Sequence, residues 1–327
     1  MFCADNTSVN FIVASCMSSL SCLGSVSIIM SHIKLPLAER KRKLRRLLLW
    51  LSVVDFATGA AYLLSAFGLS VNSDGVIVSD FGCKFQAVIS SFSPMSSVVT
   101  TALIGLLLYE AVCLETTNQR TIYSGLLSEY PKTIFIVAAL IIPAVLCFIV
   151  AENGRYGYSD EFGEPWCWIN TNITTTNERS QADRNSNFLW RMVGGKGVEL
   201  IGFVVIVSTY VPTMLKLKKY KTTNEENAVA RMAFLPGAYL ILRLPSFLRV
   251  LVDSVNQIVT DFTCVGFLSL LQSLGDPSQG FINGVVYGIG SKKSRASLLS
   301  CCIHDKNHGL EKREDSKMHD SYGLLEG

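Results

Sequence analysis

Seven mostly apolar stretches of about twenty residues or more follow one another along this 327-residue chain. A bilayer crossing by a helix takes roughly 20 residues, so each is long enough to span. The stretches are 9–31, 44–70, 85–113, 133–151, 190–215, 232–256 and 264–290. The first and fourth hold no charged residue, and the third holds none from Phe85 to Tyr109. With 49% hydrophobic and 17% charged residues, the composition is that of a chain whose surface faces lipid rather than water. The expected fold is an all-α membrane protein, a seven-transmembrane helix bundle. The same pattern leaves no room for a soluble enzyme or a nucleic-acid binder.

The basic residues orient the bundle. Taking the loops alternately, one side collects 21 of the 29 Lys and Arg. These include the cluster Arg40, Lys41, Arg42, Lys43, Arg45 and Arg46, the run Lys216–Arg231, and the tail beyond Lys292. The other side holds Lys84, Arg155, Arg179, Arg184 and Arg191. Positive charge stays on the cytosolic side, so the amino terminus is expected outside and the carboxyl terminus in the cytosol. Anionic inner-leaflet lipid is then a partner of the basic face. Both glycosylation sequons, at Asn6 and Asn172, fall on the outer segments under this assignment.

Cysteines at 16, 22, 113 and 147 lie in spans, where a thiol behaves as a small hydrophobe. Cys83 and Cys167 both face the oxidising side, so a disulfide between them is chemically allowed; two unpaired thiols are the alternative. Cys301 and Cys302 follow a basic run just inside the last span and suit S-palmitoylation, although an ordinary cytosolic pair fits equally. In the last span Gly280, Gly284 and Gly288 recur every fourth residue, a face suited to close helix packing. Pro94, Pro143, Pro212, Pro236 and Pro245 fall inside spans and kink helices there.

Six charged residues lie away from the span ends: Asp55, Lys196, Glu199, Arg243, Arg249 and Asp276. Each costs on the order of 2.5–3.5 kcal/mol at bilayer depth, so each needs a partner or a task. Counting from the span ends puts Asp55, Arg243 and Asp276 near mid-depth, as an intramembrane charge network. Lys196 and Arg249 fall nearer the outer mouth, with Glu199 between. Two readings stand side by side. Either the charges pair internally, as Lys196 and Glu199 do at i, i+3, or they line an outward pocket. In the second reading Lys196, Glu199, Arg249, Gln272 and Tyr62 are the candidate ligand-binding residues.

Several chemistries drop out. The four histidines, at 32, 304, 308 and 319, sit at or beyond span ends on one side, so no metal site forms at depth. The last span has no lysine for a retinal Schiff base, and the short loops hold no nucleotide-binding fold. No cofactor and no enzymatic activity is expected. A carrier using the buried charges remains as the alternative to a receptor.

Five segments resemble the G-protein-coupled receptors, in the cyclic-AMP-receptor-like branch near the secretin-type receptors. They are Arg45–Asp55 entering the second span; Cys83 with Trp166-Cys167-Trp168-Ile169; Gly195–Glu199 in the fifth; Leu242-Arg243 through Arg249 in the sixth; and Gln279–Tyr287 in the seventh. The likeness covers roughly residues 10–302 and points to an orphan group, so no ligand comes with it. It implies a Cys83–Cys167 disulfide, an extracellular stimulus and a heterotrimeric G protein on the cytosolic face, at the plasma or ciliary membrane. One departure stands out. The third span ends Leu108-Tyr109-Glu110-Ala111-Val112, without the Asp/Glu-Arg-Tyr triad of rhodopsin-like receptors. The organisation expected is a short outer terminus (1–8), the bundle (9–290), a juxtamembrane amphipathic segment (291–303) and a disordered tail (304–327).

Overall fold

A computed structural model describes residues 7–40, 43–70, 78–114, 131–158, 166–170, 181–219, 226–256 and 265–290. Asn6, Asn172, Cys301, Cys302 and the segments 291–303 and 304–327 lie outside the described residues. Seven long helical runs appear in the expected places. They are α1 (Thr7–Ile33), α2 (Lys43–Ala66) and α3 (Asp80–Tyr109, prolonged by a π-helical turn, Glu110–Leu114). Next, α4 is built from Pro131–Ile136, a π-helical turn at Val137–Ile141, and Ile142–Glu152. Then α5 joins Gln181–Arg191 to Gly197–Lys219 through a π-helical turn, Met192–Lys196. Last come α6 (Glu226–Asn256) and α7 (Val265–Gly290). Two-residue strands β1 (Tyr156–Gly157) and β2 (Trp168–Ile169) pair antiparallel between α4 and α5.

Helices α3, α5 and α6 start earlier than hydropathy alone suggests, because polar residues keep helical geometry past the apolar part. At the start of α3, Ser79 makes the boundary explicit. Its extended backbone (φ −143°, ψ 121°) lets Oγ accept from the Gly82 N–H at 3.1 Å, an N-cap. Six of the seven helices are apolar and long enough to cross a membrane. The seventh, α7, has the length but carries Gln272, Asp276, Gln279 and Asn283, which dilute its hydropathy and turn out to face the interior.

The helices form a closed ring. Contacts run α1–α2–α3–α5–α6–α7 and back to α1, while α4 leans on α3 from outside. Between α1 and α7 the approach is very close. A Cβ at Gly24 would fall 2.5 Å from the Gly280 carbonyl oxygen, and one at Gly280 would fall 2.2 Å from Ser25 Oγ. The glycine face of α7 therefore packs on α1, and the Gly280 N–H also meets Ser21 Oγ at 3.0 Å.

Polarity is arranged inside out. Leu23, Phe148, Ile201 and Ile241 are exposed on the outer face, whereas the six intramembrane charges are each at most 5% exposed. Such a surface suits hydrocarbon, and the buried polar groups then bond helix to helix. Two apolar clusters close the ends. One, at the disulfide end, joins Ala87 of α3 and Val150 of α4 to Ile169. The other, at the opposite end, brings Leu51 and Leu108 against Leu235 of α6.

Candidate functional site

The candidate site is a small cleft at the disulfide end of the bundle, with free space of about 20 Å3. Its lid is the segment carrying β2. Cys167 is bonded to Cys83 at the first turns of α3, with Cα atoms 5.3 Å apart. Gln86 adds a second tie, since its Oε1 accepts from the Cys167 N–H at 3.1 Å while its Nε2 donates to the Ala61 carbonyl at 2.8 Å. Ser90 Oγ donates to the Cys167 carbonyl at 3.3 Å. With its backbone held on both sides, the lid presents Trp166 and Trp168. Trp166 packs edge-on against Tyr62 at 4.7 Å between centroids.

The floor is built by α5, α6 and α7. The π turn of α5 forces Gly195 to φ 149°, a backbone region that residues with side chains rarely adopt. Lys196, next in sequence, enters the cleft and donates to Glu199 Oε2 at 2.8 Å and to Ser246 Oγ at 2.6 Å. Its ammonium also lies 5.7 Å from the Trp168 ring centre, a cation–π contact. Glu199 Oε1 is 3.8 Å from Arg243 Nη1, and the same nitrogen is 3.1 Å from Asp276 Oδ1. The order Trp168–Lys196–Glu199–Arg243–Asp276 thus runs from the lid through three helices.

Of the ligand-binding candidates read from the sequence, Tyr62, Lys196, Glu199 and Gln272 all line the cleft. Arg249 stands behind it. Its Nη1 donates to Gln272 Oε1 at 2.9 Å and to Ser269 Oγ at 3.1 Å, and Asn10 of α1 donates to the same hydroxyl. The expected mid-depth trio divides. Arg243 and Asp276 pair and line the cleft, but Asp55 sits deeper in a neutral set of partners. Ser97 Oγ donates to its Oδ1 at 2.9 Å and Asn283 Nδ2 to its Oδ2 at 2.7 Å, while Gln279 Nε2 donates to Ser97 Oγ. Sequence reasoning missed Gln86 and Ser246 as contributors. A polar residue in the first turns of an apolar span was the available signal for Gln86; nothing marked Ser246. No group of metal-ligating side chains occurs among the described residues.

No protein-family model matches the chain. Individual proteins do. Human G-protein coupled receptor 157 is 24% identical over 300 residues, covering 87% of this chain and 81% of the human protein. The mouse protein of that name is 22% identical over 302 residues (87% and 83%), and the rat protein 23% over 314 residues (90% and 86%). The chain resembles G-protein coupled receptor 157. The alignments run through the whole bundle rather than one helix. G-protein coupled receptor 157 is named as a receptor and not as an enzyme, in keeping with a multi-pass membrane protein. The Cys83–Cys167 bond, implied by the resemblance in sequence, is formed in the structure.

Proposed function

We propose that the chain is a G-protein-coupled receptor, with the disulfide end outside the cell and the basic loops and tail in the cytosol. It senses an extracellular ligand in the cleft and activates a heterotrimeric G protein at the plasma membrane. The observation that carries this reading is the cleft itself. A closed ring of six helices, with α4 packed outside it, has an aromatic lid fixed over a polar floor, and the floor draws on the helices that a signal must cross. The likeness to G-protein coupled receptor 157 supports it, and the excess of Lys and Arg on one side supports the orientation.

Signalling here is a shift between two packings of the bundle. A ligand moves that balance only by its differential affinity for the two states. The switch works without an Asp/Glu-Arg-Tyr triad, so contacts at the opposite end from the cleft fall to other residues. Lys216 of α5 supplies one, donating to the Cys113 carbonyl in the π turn that ends α3 at 2.9 Å. The test is guanine-nucleotide exchange on a panel of purified G proteins, comparing membranes that contain the chain with matched empty membranes. Exchange above background on at least one G protein is expected. Uptake of solute by proteoliposomes, with no exchange on any G protein, would make the chain a carrier instead.

A further inference from the structure

Arg243 is 1% exposed and lines the cleft, yet only one edge of its guanidinium is engaged. Nη1 faces Asp276 and Glu199. Nε and Nη2, which together form the side edge of the fork, make no hydrogen bond to the described residues. Two parallel N–H donors on one guanidinium edge match the two oxygens of a carboxylate. Leaving such donors buried and unmatched costs about 1–3 kcal/mol or more for a charged group. A complementary acceptor stands next to it. Asp276 Oδ1 lies 3.1 Å from Nη1 but accepts no hydrogen bond there, and it too lines the cleft.

The net charge of the floor narrows the ligand further. Lys196 and Arg243 are balanced by Glu199 and Asp276, and the four are already joined at 2.8–3.8 Å. An anion alone would fill the Arg243 edge but bring an uncompensated charge among buried side chains. A cation alone would meet Asp276 and leave the fork empty. A molecule bearing both signs satisfies both edges and keeps the site neutral. The free space in the cleft is about 20 Å3, room for little more than one water molecule, so the ligand is small and its entry widens the cleft. Trp166, Trp168 and Tyr62 offer an apolar, aromatic wall for its side group.

We propose that the cleft takes a small zwitterion, a free amino acid or a molecule of that size, with its carboxylate on the Arg243 side edge and its ammonium at Asp276. The inference rests on the receptor reading above and names the class of ligand for that site.

The experiment uses the full chain in lipid nanodiscs, with binding read by calorimetry and by thermal shift. The probes are the twenty standard L-amino acids, followed for each binder by its α-amide, which lacks the α-carboxylate, and its Nα-acetyl derivative, which lacks the α-ammonium. At least one amino acid should saturate the site, and both analogues should bind at least ten-fold more weakly. Arg243→Lys, which keeps the charge but not the fork, should weaken the amino acid ten-fold or more. Asp276→Asn should do the same while improving the N-acetyl analogue relative to its parent. If either variant fails to fold, the analogue series on the unmodified chain decides alone. Absence of saturation by any amino acid overturns the proposal, as does an amide or N-acetyl analogue that binds as tightly as its parent. Nucleotide exchange is measured on the same preparation. Exchange without amino-acid binding removes the ligand class and leaves the receptor; no exchange on any G protein removes the receptor reading itself.

Discussion

Glu199 holds two cations at once, Lys196 at 2.8 Å and Arg243 at 3.8 Å, and is 3% exposed. Removing one member of a buried ion pair strands the other, at a cost of roughly 3–5 kcal/mol. Glu199→Gln should therefore lower the melting temperature of the purified chain sharply, and so should Lys196→Met. The double variant removes both ends of the pair and should cost less than the sum by about 1–3 kcal/mol. Additive losses in a double-mutant cycle would show that the two side chains do not depend on one another. Asp55 offers a milder contrast. Its two oxygens accept from Ser97 and Asn283. Asp55→Asn keeps one acceptor and one of those bonds, whereas Asp55→Leu loses both. The loss in thermal stability on detergent-solubilised protein should be larger for Leu than for Asn, and equal losses would remove the hydrogen-bond account.

At the scale of helices, α1 and α7 meet very closely. A methyl group at Gly280 would overlap Ser25 Oγ at 2.2 Å and Ser21 Oγ at 2.6 Å. Forcing extra volume into a packed contact costs roughly 1–3 kcal/mol. Gly280→Ala should reduce the melting temperature and the fraction of chain at the cell surface. Gly68, with φ 62° and open space around it, is the control for glycine replacement outside the packed contact; there Ala meets backbone strain without any clash. A Gly280→Ala protein as stable as the parent would mean that the two helices separate at no cost. The glycine spacing announced this contact in the sequence, and the seven spans were equally legible, because apolar length is a one-dimensional signal. Less visible was which polar residues meet. Arg249 and Lys196 lie at similar depth by residue count, yet one stands behind Gln272 and the other enters the cleft, since rotation about a helix axis is set by neighbours. The π turn before Lys196 adds to that rotation, and a π turn has no hydropathy signature. Pro277, beside Asp276, is a proline inside α7 that span reading passed over.

Across the whole molecule α5 connects the two ends. At the disulfide end it carries Lys196 and Glu199 into the cleft; at the other, Lys216 reaches the Cys113 carbonyl and Leu217 packs on the cluster that includes Leu108 and Leu235. In a two-state bundle, a contact present in only one packing biases the equilibrium by its own net free energy. Lys216 is half-buried, so its hydrogen bond is worth the ordinary net of about 0.5–1.5 kcal/mol, equivalent to roughly two- to ten-fold in population. If the described packing is the resting one, Lys216→Met releases the end of α5 from α3 and should raise ligand-independent nucleotide exchange by about that factor. The substitution keeps the aliphatic stem that covers the neighbouring apolar surface, so folding should survive, and surface expression is measured alongside to confirm it. A fall in exchange at unchanged surface expression would assign the contact to the active packing. Unchanged exchange would show that Lys216 bonds Cys113 equally in both, and the search for what replaces the missing arginine triad would move to Leu108 and Leu235.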